Sequence, residues 1–105
     1  MATLIEEIWN EATAAARAST VGAADGYPCG FAWLHIKPAR GPLVKFLKEK
    51  KIGRRDEYWG GYIVSASQID GWMGQNMDVK ENSVMAAIAV LRKYGFECNL
   101  KSRID

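Results

Sequence analysis

One histidine and two cysteines are all the metal-ligating nitrogen and sulfur chemistry in this chain, and that scarcity excludes a good deal. Cys29 and Cys98 do not form a CxxC pair. Both sit in apolar, strand-like runs, so buried thiols are expected rather than a disulfide. No histidine-rich metal motif, phosphate-binding glycine loop or G-x-S-x-G turn occurs. No cofactor, metal or catalytic set is expected, and a non-enzymatic role is the expectation. Nothing in the spacing supports a nucleophilic pair of His35 with Cys29 or Cys98. His35 reads as an amphipathic strand residue near a sheet edge. No apolar run approaches the length of a membrane span and no signal-peptide pattern opens the sequence. These absences predict a cytoplasmic chain without a membrane partner. There is no internal repeat.

What is present suits one small globular domain: 105 residues, 49% hydrophobic and 25% charged. The net charge of +2 is too weak to imply nucleic-acid binding. Its distribution is uneven, with Lys45, Lys48, Lys50, Lys51, Arg54 and Arg55 interrupted by only one acid, Glu49. Such a run is ordinarily a solvated helix face near a helix C-terminus, where the dipole favours cations. This basic 45–55 segment is also the place where nucleic acid would bind if it binds.

The periodicity predicts a helix over 3–18, with Thr3-x-x-Glu6 as capping box and an apolar stripe of Leu4, Ile5, Ile8, Trp9, Ala12, Ala15 and Ala16. Residues 19–28 read as a loop. Residues 29–37 read as a strand in which Ala32, Leu34 and Ile36 alternate with Phe31, Trp33 and His35. One set faces the core, and the aromatic set is expected to be covered at least in part. Pro42 suits the first turn of a second helix, running to about residue 51, with Gly53 at its end. Residues 58–66 read as a second strand containing Gly60 and Gly61, and 67–77 as a long loop. Asp78-x-x-Glu81 opens a helix that stops at Gly95, and 96–104 read as a third strand.

The result is a single small α/β or α+β domain, ordered α-β-α-β-α-β: a helix over 1–18, a loop over 19–28 and a β-α-β-α-β unit over 29–105. Helices between successive strands favour a parallel three-stranded sheet with helices packed on it. The alternative is a ferredoxin-like sheet, which needs a hairpin hidden in residues 67–77.

Parallel strands would bring their carboxyl ends to one edge, where open α/β sheets bind ligands. Lys37 and Arg40 follow the first strand, Gln75, Asn76 and Lys80 open the last helix, and Arg103 ends the last strand. Together with two helix N-termini they would make a seat for an anion. Alternatively they serve separately, Asn76 ordering a loop and Arg103 pairing with Asp105.

The octapeptide Cys29-Gly30-Phe31-Ala32-Trp33-Leu34-His35-Ile36 resembles the RNP1 segment of RNA-recognition motifs, where alternate aromatics stack on bases. It departs at Cys29, which replaces a basic residue, and at Ile36, which replaces an aromatic. Its place in the strand order also differs, so the aromatics are expected to pack.

A wider pattern comprises Cys29-Gly30-Phe31-Ala32-Trp33, Lys37-Pro38-Ala39-Arg40-Gly41, Tyr58-Trp59-Gly60-Gly61-Tyr62, Gln75-Asn76-Met77 with Lys80-Glu81, and Ser102-Arg103-Ile104-Asp105. Over roughly 28–105 it resembles a family of small proteins of no established activity, encoded mostly by tailed bacteriophages. The resemblance implies a phage accessory protein in a host-cell cytoplasm. The expected function is a non-catalytic binding module for a small, nucleotide-like anion. The alternatives are a module that docks on a host or virion protein through Tyr58, Trp59 and Trp72, and a nucleic-acid binder using the basic segment.

Overall fold

The computed structural model describes residues 2–104, with side chains from Leu4 to Ile104. The expected Thr3 cap and the partner Asp105 lie outside the described residues and side chains. The elements are α1 (Ala2–Thr20), β1 (Gly30–Ile36), α2 (Pro42–Glu49), β2 (Arg54–Arg55), β3 (Tyr62–Ser65), α3 (Ala66–Asp70), α4 (Met77–Lys93) and β4 (Asn99–Ile104).

The sheet has four strands in the order β2-β3-β1-β4, and every neighbouring pair is antiparallel. This corrects the parallel three-stranded expectation and makes the domain α+β. Its order and directions are those of the ferredoxin-like alternative, but the hidden hairpin is β2–β3, not residues 67–77. Residues 67–77 instead begin inside the short helix α3. The glycine pair assigned to the second strand lies before it, with φ of 74° at Gly60 and 75° at Gly61. A Cβ on Gly61 would stand 2.5 Å from the Ile36 carbonyl oxygen, so the hairpin loop approaches β1 as only glycine allows. The last strand is shorter than expected: Phe96 and Cys98 precede it, although Cys98 is buried.

Alternation decides which face of the sheet is covered. Ala32, Leu34 and Ile36 of β1 and Tyr62 and Val64 of β3 join the core with Leu43, Val44 and Leu47 of α2, Ile69 of α3 and Val84, Ile88 and Leu91 of α4. Helix α4 lies against β1 and β4, and α1 packs on α4 through Ile8, Trp9, Ala12 and Ala16. Leu4, expected in that stripe, is exposed. At the end of α2 the left-handed residue is Lys51 (φ 59°), ahead of Gly53 (φ 76°). The cap of α4 is Asn76 and not Asp78, because the Asn76 side chain accepts from the Val79 N–H at 3.1 Å.

Candidate functional site

The antiparallel register separates the six residues expected to converge. Arg103 lies opposite Phe31 near the start of β1, whereas Lys37 and Arg40 follow its end. Six residues of strand place these groups about 20 Å apart. Lys37 and Arg40 line a shallow cleft of about 150 Å³ with Phe96 and Glu97. Gln75, Asn76, Lys80 and Arg103 do gather, at the opposite end of the strand. There Gly30 N–H donates to the Gln75 carbonyl at 3.1 Å, Cys29 bridges Asn76, and the Lys80 ammonium donates to the Gly30 carbonyl at 2.7 Å.

The anion seat at the start of α4 is filled from within. The Asp25 carboxylate accepts from the backbone N–H groups of Gln75 (2.7 Å), Gly26 (2.8 Å) and Asn76 (3.0 Å). The bonds from Gln75 and Gly26, then that from Asn76 and the charge of Lys80, hold the carboxyl below its ordinary 3.8. A carboxyl depressed on folding stabilises the native state above its unfolded value and loses that contribution as pH falls through the lower folded value. An Asp25→Asn variant keeps an acceptor oxygen but cannot titrate. Urea midpoints measured as pH falls below 3.8 should therefore decline less steeply in the variant than in the wild type. Equal slopes would show that Asp25 is not held as the geometry implies.

The richer site lies on the sheet face away from the helices. Cross-strand pairing puts Arg103 beside Phe31, Lys101–Trp33–Ser65 in a second row, and Asn99–His35–Ile63–Arg54 in a third. No Asp or Glu holds a register position on this face among the described residues. Phe31 and Trp33 present nearly parallel rings with centroids 5.9 Å apart. The loop between β2 and β3 folds back and sets Trp59 edge-on against Trp33 at 5.4 Å, with Tyr58 tilted against Trp59 at 5.4 Å. Three bonds fix that loop: Asp56 N–H to the Gly61 carbonyl at 2.9 Å, Trp59 N–H to the Asp56 carboxylate at 2.6 Å, and His35 Nε2 to the Gly60 carbonyl at 2.8 Å.

The expected covering of the aromatics is thus only partial. Phe31 is 37% exposed, Tyr58 is 81% exposed, and Trp33 and Trp59 are half-buried. Cations flank the row: the Lys80 ammonium lies 5.3 Å from the Phe31 centroid and that of Lys101 lies 5.8 Å from the Trp59 centroid.

His35 is buried in a central strand rather than near an edge, and it anchors the loop. It stands on the opposite face from Cys98, which belongs to the core. Burial pushes the Cys98 thiol up to about 11, so it is unreactive at neutral pH. Cys29 is a half-buried free thiol at the start of β1. The basic run from Lys45 to Arg55 is exposed, and only its Arg54 takes a register position on the aromatic face.

As a binding residue, Trp33 enters the sequence reading only through the RNP1 resemblance, whose stacking role is set aside there, and Lys101 does not enter it. Lys101-x-Arg103 carries the same period of two as Phe31-x-Trp33, which puts like residues on one strand face. Comparison with protein-family models, with curated proteins and with solved structures finds no match to this chain.

Proposed function

We propose that this chain is a non-catalytic binding module for single-stranded nucleic acid, and that the open face of the sheet holds the strand. The single observation that carries this reading is the row Phe31–Trp33–Trp59–Tyr58 flanked by Lys80, Lys101 and Arg103 with no acid in register. Aromatic faces stack on bases whatever their identity, and cations beside them track the phosphates. This reading replaces the small nucleotide-like anion expected at the loop edge with a strand on the sheet, the stacking role suggested by the RNP1 resemblance of residues 29–36. The phage setting implied by the resemblance is the context we propose for it.

Docking of a host or virion protein on Tyr58 and Trp59 is the second reading, favoured by the exposure of Tyr58. The surrounding cations weigh against it, because protein-binding patches have few charges at their centre. The basic 45–55 segment would then widen the positive field and not form the site.

Fluorescence anisotropy with single strands of about 12 nucleotides tests the proposal. Oligo-dT and oligo-rU arms separate DNA from RNA, and a duplex arm is expected to bind more weakly. The logarithm of affinity should fall linearly with that of salt. Lys101→Ala, Arg103→Ala and Lys80→Ala should each reduce the slope by about 0.7. No binding of either single strand at low salt, or a triple variant with the wild-type slope, would overturn it.

A further inference from the structure

We infer that the cleft between Phe31 and Trp72 takes one base of the bound strand and reads its edge, an inference that rests on the single-strand reading above. The cleft measures about 220 Å³ and continues the aromatic row, since Phe31 and Trp33 form one wall. Trp72, Met73 and Gly74 form the other, and Ser65, Ser67, Gln75 and Lys80 supply polar groups. Its volume lies below the roughly 300–1,000 Å³ that encloses a drug-sized ligand, and so suits a single base. A strand stacked on Phe31 need only turn its next base inward to fill it.

The far wall is built in advance. Asp70 is buried and accepts from the Trp72 N–H at 2.7 Å through one oxygen and from the Ser83 hydroxyl through the other. This ties the loop to α4. The Trp72 ring then lies over Gly74, where a Cβ would stand 2.3 Å from the indole. Preorganised walls bind without the cost of ordering. Gln75 offers both a donor and an acceptor, and the Ser65 and Ser67 hydroxyls, bonded to each other, add further acceptors for a base edge. Lys80, at the rim beside Phe31, is placed for the phosphate of the inserted nucleotide.

The test uses oligo-dT of about five nucleotides, too short to slide, with an abasic site placed at each position in turn. One position should cost about 5- to 150-fold in affinity beyond the mildest of the others, the range for one lost base contact. Trp72→Ala should erase that excess and leave the other positions unchanged. Ser67→Ala and Gln75→Ala are exposed changes that spare the fold, and they should flatten the preference when the four bases are exchanged at the sensitive position. Uniform costs at every position, or a sensitive position that all three variants leave intact, would overturn the cleft while the platform stands. Failure of every oligonucleotide to bind would overturn both.

Discussion

Replacing Phe31 and Trp33 together by alanine is expected to weaken single-strand binding by roughly 30-fold to 20,000-fold. Each base stacked on an aromatic is worth ~1–3 kcal/mol by alanine substitution, and tenfold in affinity is 1.4 kcal/mol. The two rings touch, so their losses need not add, and the single variants should be measured beside the double. Both side chains leave the sheet on the side away from the helices, and Phe31 is partly in solvent. The fold should therefore survive, with unfolding curves as the check. Trp33 also supports the Trp59 ring, and its removal should loosen that ring and add to the loss. The salt dependence supplies the discriminating readout. Lys80, Lys101 and Arg103 remain in the double variant, so affinity should drop at every salt concentration while the slope holds. A double variant that binds as tightly as the wild type would mean that no base lies on these rings.

The second large effect concerns stability. Leu34→Ala should destabilise the domain by about 2–5 kcal/mol. Leu34 is fully buried on the central strand β1, between Val64 of β3 and Leu100 of β4. Truncation there loses buried apolar surface and leaves a cavity that neighbours on both sides cannot easily fill. Domains of this size are typically stable by about 5–15 kcal/mol, so the variant would stand close to unfolding. Urea denaturation followed by far-UV circular dichroism measures the change. Leu4→Ala serves as the control, since Leu4 is 53% exposed and should shift stability by no more than about 0.5 kcal/mol. Equal small changes at both positions would contradict the assignment of the core.

Much of the fold was legible because the dominant signals are local. The alternation of Ala32, Leu34 and Ile36 marks β1, Pro42 marks the start of α2, and the apolar stripe of α1 places Ile8, Trp9, Ala12 and Ala16 inward. What escaped was β2, a strand of two arginines inside a basic run. Neither hydrophobicity nor length distinguishes such a pair from a solvated tail. That omission had a disproportionate consequence, because one extra strand reverses every direction after it. With β4 reversed, Arg103 left Lys37 and Arg40 and came to Phe31. The same reversal brings Arg103 to the end of β1 where Gln75, Asn76 and Lys80 lie, without the shared parallel edge on which the sequence pattern grouped them. The Phe31-x-Trp33 pattern was equally visible, but local patterning cannot say which face of a strand the helices cover. Nor could it show that Asp25, some fifty residues earlier in the chain, fills the start of α4.

Strand β4 is an outer strand of the sheet, and one side of its backbone is therefore free to pair with a strand from another molecule. Lys101 and Arg103 guard that border, since two such borders brought together would set like charges side by side. A polyanion laid along them would cancel this repulsion. If the open face holds a strand as proposed, that strand would lower the barrier to edge-to-edge pairing of copies along β4.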